Sequence, residues 1–310
     1  MNIEDVLKFE LEITSLCNAK CPNCVRTLFP NNYTEESMSL DDIKSIFPSE
    51  KYIKGKLFSL VGQIGDPMMN PDALDIIKYI VSNNGYILIN TNGGLRSKKY
   101  WQELGALSKE TNNIQTWFCV DGYYETNAIY RVNTSYDTIM RNLTAYVEAG
   151  GDAKWALITF DHNEHERELC LTKAKELGVE VFYRTPSSDN GEFIPVEDDL
   201  QIAIDVYDAS SVVCKVTDGN EFHISYDMKV VPCCYTYGKS IANPEIYKIA
   251  FQGYEENWNS LKHHTLDEIM KHPYYTKELK DSFNKEHPRR MANCRGCQHN
   301  HEHYNNSLRK

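Results

Sequence analysis

No apolar run in the sequence approaches the roughly 20 residues that a membrane span needs. The N-terminus, Met1-Asn2-Ile3-Glu4-Asp5, is acidic and lacks the basic-then-apolar pattern of an export signal. A cytoplasmic location is the default expectation. Basic charge is scarce: 33 Lys and Arg against 44 Asp and Glu leave a net charge of −11. Neutralising phosphates needs clustered cations, so neither nucleic acid nor membrane is expected as a partner. Internal repeats and low-complexity tracts are missing as well. What remains is an ordinary globular composition, 41% hydrophobic and 25% charged over 310 residues, enough for one or two domains.

Cysteine is the exception. Ten are present, and a reduced compartment argues against a disulfide framework. Cys17, Cys21 and Cys24 form one group; Cys214, Cys233, Cys234, Cys294 and Cys297 form another; Cys119 and Cys170 stand alone. Grouping of this kind points to metal or cluster binding. The stretch Cys17-Asn18-Ala19-Lys20-Cys21-Pro22-Asn23-Cys24 lacks a fourth cysteine nearby. A structural zinc site or a complete cubane takes four protein ligands. Three close thiols suggest a cubane with one iron left open; a zinc knuckle borrowing a distant ligand is the alternative. In the tail, Cys214, Cys233 and Cys294-Arg295-Gly296-Cys297 supply the four thiols of a complete zinc or four-iron site. Cys234 reads as a spare buried thiol.

Between the two groups the pattern alternates. Strands are expected at Phe9 to Ile13, 57–61, 86–89, 115–120, 155–160 and 179–183. Helices are expected from Ser39, from Asn70-Pro71-Asp72 with Asn70 as cap and Pro71 at the first position, and over 97–107, 136–149 and 164–177. Six strand–helix units imply parallel strands with helices outside, an α/β partial (β/α)6 barrel of the TIM type. After Arg184 the chain becomes turn-rich, which places a boundary near residue 200. The expected division is a core domain over 1–200 and a small C-terminal α+β cluster-binding domain over 201–310. That second part is expected to hold a hairpin turning at Tyr226-Asp227-Met228 and helices over 266–271 and 275–283.

These residues together resemble the radical S-adenosylmethionine (SAM) superfamily, and the tail resembles its twitch, or half-SPASM, extension. The resemblance rests on Cys17-x3-Cys21-x2-Cys24 after a first strand, six βα units, and Val231-Pro232-Cys233-Cys234 with a final Cys-x-x-Cys. It implies that Cys17, Cys21 and Cys24 hold a four-iron cluster whose open iron chelates SAM. It implies an auxiliary four-iron cluster on Cys214, Cys233, Cys294 and Cys297. The family's Gly-Gly-Glu-Pro segment appears as Ile64-Gly65-Asp66-Pro67 and would meet the methionine amino group. Asn90-Thr91-Asn92-Gly93 resembles the family's turn near SAM, which brings in Asn90 and Asn92. Asp121 would accept ribose hydroxyls. Four positions depart from the pattern: Asn23 where an aromatic residue usually faces adenine, Ile64 and Asp66 in the second motif, and Met228 where glycine is usual.

The implied activity is reductive cleavage of SAM to a 5′-deoxyadenosyl radical, hydrogen abstraction from a substrate, and oxidation of that substrate with help from the auxiliary cluster. The electron would come from a reducing partner such as flavodoxin or ferredoxin. A first strand near residue 8 leaves no room for an N-terminal peptide-recognition domain, which shifts weight to a small polar substrate, as in aminocyclitol dehydrogenase relatives. Peptide or protein modification, by cross-linking, epimerisation or a maturase role, is the alternative; a non-catalytic zinc or cluster scaffold is the second. Among single residues, Glu10 and Glu12 share a face of the first strand, as do Trp117, Cys119 and Asp121 of the fourth, and either face can line a cavity. Arg184 closes the sixth strand and is a candidate for the SAM carboxylate or a substrate acid. Tyr235 and Tyr237 flank the second cysteine group. His299, His301 and His303 alternate in a tail that reads as solvated.

Overall fold

A computed structural model describes residues 2–184, 212–284, 287–289 and 294. The expected domain boundary, Cys297 and the alternating tail histidines lie outside these residues. One eight-stranded sheet organises the chain. Its strands are β1 (Lys8–Leu11), β2 (Leu57–Leu60), β3 (Tyr86–Thr91), β4 (Ile114–Cys119), β5 (Asp152–Leu157), β6 (Glu180–Tyr183), β7 (Glu221–Ile224) and β8 (Val230–Val231). The order is β6-β5-β4-β3-β2-β1-β7-β8. The first six strands are parallel neighbours in sequence order, as six βα units require.

Alternation along each strand separates two faces. Phe9, Leu11, Phe58 and Leu60 are fully buried beneath the helices, and the Phe9, Phe47 and Phe58 rings pack at centroid distances of 5.0–5.5 Å. Each such burial stabilises by about 1.5–3 kcal/mol. Residues one position out of phase (Lys8, Glu10, Ser59, Asn90, Trp117 and His223) form the polar inner face, and all are buried.

Several boundaries differ from expectation for identifiable reasons. The helix after β2 is Ala73–Ser82, flanked by Asp72 and not by Asn70. Asn70 is committed elsewhere: its Nδ2 donates to the carbonyls of Ile13 and Met38 at 2.7 and 2.8 Å, and its Oδ1 accepts from the Asp72 amide. β5 begins three residues early because its register on β4 pairs Asp152 with Gln115, and the strand ends where the Ile158 amide turns to Asp121. The expected helix over 275–283 is a π-helical turn, Tyr274–Glu278, running into Leu279–Asp281. Two helices, Cys234–Ala242 and Glu245–Ala250, follow the hairpin unannounced.

The C-terminal strands do not build a sheet of their own. β7 adds to β1 in parallel, pairing Glu10 with His223, and β8 returns antiparallel. The turn between them falls at Tyr226-Asp227-Met228 as expected, with Met228 in the left-handed region at φ 64°, where a side chain is disfavoured.

Candidate functional site

The cysteine loop leaves β1 at its C-terminal end and is anchored at once. Ser15 Oγ donates to the Thr34 carbonyl at 2.7 Å and accepts from the Glu36 amide at 2.8 Å. The Asp66 amide donates to the Leu16 carbonyl at 2.8 Å. Here the chain passes so close that a Cβ on Gly65 would lie 1.8 Å from the Thr14 carbonyl oxygen, so only glycine fits.

Cys21 is buried and Cys17 and Cys24 are half-buried, against Tyr130, Ile158 and Phe160. Burial pushes the Cys17 thiol up to about 12 and raises Cys21 and Cys24 as well. Such thiols are poor free nucleophiles, and a cationic cluster core supplies what would make them thiolates. Two donors are aimed at their sulfurs. Arg131 Nη1 lies 3.8 Å from Cys21 Sγ, and Asn92 Nδ2 lies 3.8 Å from Cys17 Sγ. The donor set fits a negatively charged iron–sulfur cluster, which is tuned by such second contacts. Among the described residues no three Cys, His, Asp or Glu side chains converge on one metal-ion position; a cubane does not ask for it, because each thiolate binds a different iron.

The expected strand-end residues surround this loop, and two of them act through neighbours. Asp121 is fully buried. Its Oδ2 accepts from Arg131 Nε at 2.5 Å and its Oδ1 from the Ile158 amide at 2.7 Å. Its carboxylate is thus engaged in holding Arg131 beside Cys21. Asp66 accepts from the Met68 and Asn92 amides at 2.9 and 2.8 Å and from the Thr91 hydroxyl at 3.0 Å. Burial still leaves its pKa raised. It ties the end of β2 to the end of β3, with Pro67 opening the short turn between. Asn92 Nδ2 also donates to Asn18 Oδ1 at 2.8 Å. Asn90 accepts from Arg184 Nη1 at 3.1 Å, and the same nitrogen lies 3.8 Å from Cys119 Sγ, so Arg184 reaches across the inner face from β6. Ile64 is buried against Tyr226, Val231, Tyr237 and Ile241 and links this segment to the C-terminal part.

Glu12, on the same inner face, is buried. Its Oε1 accepts from the Ile64 and Gly65 amides at 2.8 and 3.3 Å. Its Oε2 is buried with no hydrogen-bond partner among the described residues, as are both ring nitrogens of His223. Burial pushes the Glu12 pKa up to about 7, against the pull of His223 and the two amides. Glu10 has the opposite fate. Burial would raise it, but Lys215, with His223 and Lys8, outweighs that and holds it well below the usual range; Lys215 Nζ is 3.0 Å away. Sequence reasoning placed the two glutamates on one face but missed Arg131 and His223, whose roles depend on partners more than a hundred residues distant.

The second cysteine group lies beside β7 and β8. Cys233 caps the helix Cys234–Ala242, its Sγ accepting from the Thr236 amide at 3.4 Å and lying 3.3 Å from Thr236 Oγ1. Cys214 and Cys233 are within electrostatic reach of one another, and Cys294 and Cys233 both act on the buried Tyr274. Cys234 points the other way, 3.9 Å from Lys215 Nζ. Tyr237 packs on the His223 ring at 5.1 Å, whereas Tyr235 is exposed.

A profile of the radical SAM superfamily matches residues 11–175, more than half of the chain. The chain belongs to the radical SAM superfamily. A profile of the SPASM iron–sulfur cluster-binding domain matches residues 214–298, which spans the second cysteine group. Solved structures with a similar fold include anSMEcpe with bound AdoMet, at TM-score 0.59 and 13% identity over 90% of this chain and 81% of that one. SuiB of Streptococcus suis bound to S-adenosylmethionine is similar at TM-score 0.63 and 12% identity, over 89% of this chain and 68% of that one. At these identities the likeness shows the fold. A curated relative, the tungsten-containing aldehyde ferredoxin oxidoreductase cofactor-modifying protein of Pyrococcus furiosus, is 30% identical over 100 residues, 31% of this chain and 27% of that relative. The chain is a radical SAM enzyme whose cofactors are SAM, a four-iron cluster that binds it, and an auxiliary iron–sulfur cluster. No helix among the described residues is long and apolar enough to cross a membrane.

Proposed function

We propose that this radical SAM enzyme oxidises its substrate by dehydrogenation inside the partial barrel. When bound, the first cluster and SAM would supply radical chemistry for hydrogen-atom removal, and the auxiliary cluster would supply a site for the one electron that is lost. Dehydrogenation also needs an acceptor for one proton. The observation that carries the reading is Glu12: a buried carboxyl with one oxygen unpartnered among the described residues, on the inner face beside the Ile64–Gly65 segment. A pKa pushed up to about 7 suits a base working near neutrality. His223, one strand away with its Nδ1 3.8 Å from Glu10 Oε2, is the group to which that proton can pass.

On this reading Cys17, Cys21 and Cys24 ligate the first cluster, and Arg131 and Asn92 donate to their sulfurs. Ile64, Gly65, Asp66 and Pro67 present a backbone edge to the methionine amino group of SAM. Asn90, Asn92 and Arg184 complete the ring of strand ends, and Asp121 acts through Arg131. Cys214, Cys233, Cys294 and Cys297 hold the auxiliary cluster. The electron enters from a flavodoxin or ferredoxin.

The substrate is a small polar molecule or a short peptide. Peptide substrates are favoured by two relatives, SuiB bound to the precursor peptide SuiA and anSMEcpe with the Cp18Cys peptide. Mass spectrometry of candidate peptides and aminocyclitols incubated with the reconstituted enzyme, SAM and reductant tests the reading. A product two mass units lighter, formed with one 5′-deoxyadenosine per turnover, is expected. Turnover to a product of unchanged mass overturns dehydrogenation in favour of epimerisation.

A further inference from the structure

The two cysteines that flank the β7–β8 hairpin are followed by the same short pattern, Cys214-Lys215-Val216-Thr217 and Cys233-Cys234-Tyr235-Thr236. In the second, the threonine turns back on the thiol. Thr236 is buried; its amide donates to Cys233 Sγ at 3.4 Å and its hydroxyl lies 3.3 Å from the same sulfur. A thiolate has no proton to give, so once Cys233 is a metal ligand the hydroxyl is the donor. The nine-residue helix that Cys233 caps adds the positive end of its dipole to the same atom. In the first pattern the Val216 and Thr217 amides and the Thr217 hydroxyl also face Cys214, but that hydroxyl has a competing acceptor, Asp218 Oδ2 at 2.9 Å, and its one proton is divided between the two. Hydrogen bonds to cluster sulfurs stabilise the more negative, reduced state and raise the potential.

We propose that Thr236 is a tuning residue of the auxiliary cluster, raising its potential through the Cys233 sulfur so that the cluster takes up the electron lost by the oxidised substrate. The inference rests on the assignment of Cys233 as a ligand. It makes the SPASM part an electron acceptor by construction and, because the Thr217 hydroxyl is shared with Asp218, assigns Thr217 the smaller part in that effect.

The test is an EPR-monitored potentiometric titration of the fully reconstituted protein, with Thr236→Val, Thr236→Ser and Thr217→Val beside wild type. Thr236→Val is expected to lower the midpoint of the auxiliary cluster. Thr236→Ser, which keeps the hydroxyl, is expected near wild type, and Thr217→Val is expected to shift it less than Thr236→Val. If the valine variant loads less iron, Thr236→Ala carries the same comparison. An unchanged or higher midpoint on removing the Thr236 hydroxyl overturns the proposal, as does a Thr217→Val shift at least as large. Iron analysis of Cys233→Ala separates this from the assignment beneath it: unchanged iron there means that Cys233 is not a ligand.

Discussion

The two cysteine groups are built in opposite ways. At the first, the sulfurs meet donors brought from distant segments: Arg131, just past the helix Glu125–Tyr130, to Cys21, and Asn92, at the end of β3, to Cys17, themselves fixed by the buried carboxylates of Asp121 and Asp66. At the second, the donor to Cys233 is Thr236, three residues along the same helix turn. The donors to the first group come from across the sheet, and the donor to Cys233 comes from its own helix turn. The first should therefore break when distant residues change, while the second answers chiefly to its neighbours.

The largest expected effect is on the cysteines themselves. Replacing Cys17, Cys21 and Cys24 with Ala should abolish SAM cleavage, read as 5′-deoxyadenosine by chromatography. Replacing Cys294 and Cys297 with Ala should stop substrate conversion but leave some uncoupled cleavage. Equal loss of cleavage in both, with both variants folded, would erase the contrast.

Next comes a remote substitution at the first site. Asp121→Asn leaves the Arg131 guanidinium buried without its counter-charge, and breaking a buried pair costs about 3–5 kcal/mol. Urea unfolding should show a loss of that order. Thr236→Val removes one hydrogen bond and should cost only about 1 kcal/mol. Similar losses in the two variants would contradict the assembled-versus-local distinction.

The last effect is pH-dependent and sets in gradually. Glu12 holds its proton more tightly in the folded chain than the ordinary carboxyl value of 4.5, up to about 7. That contribution to stability is present in full below pH 4.5 and is lost as pH rises through about 7, a change of about 3 kcal/mol at most. In iron-free protein, Glu12→Gln should flatten the decline in urea midpoint between pH 5 and pH 8, while keeping an acceptor for the Ile64 and Gly65 amides. A decline as steep as in wild type would show that Glu12 ionises normally.

Local pattern made part of this legible. Thiol spacing announced both cysteine groups, and strand alternation grouped Glu10 with Glu12 along the first strand and Trp117 with Cys119 and Asp121 along the fourth. Six βα units emerged from periodicity because each is written in a continuous segment. Long-range placement was not legible. That β7 pairs with β1, and so sets His223 between Glu10 and Glu12, joins residues more than two hundred apart. Asn70 looked like a helix cap because Asn-Pro-Asp is a cap-like string, yet two carbonyls from distant turns claim its side chain. Asp66 and Asp121 looked like ligand contacts because of where their strands end, and only the fold shows how much of each carboxylate is engaged within the chain.

The most direct test of two separate clusters is iron and sulfide content after anaerobic reconstitution, for wild type and for the variant with Cys17, Cys21 and Cys24 replaced by Ala. Two cubanes predict about eight irons with matching sulfide in wild type and about four in the variant. Zinc in place of iron, or a folded variant that retains all the wild-type iron, would contradict the account.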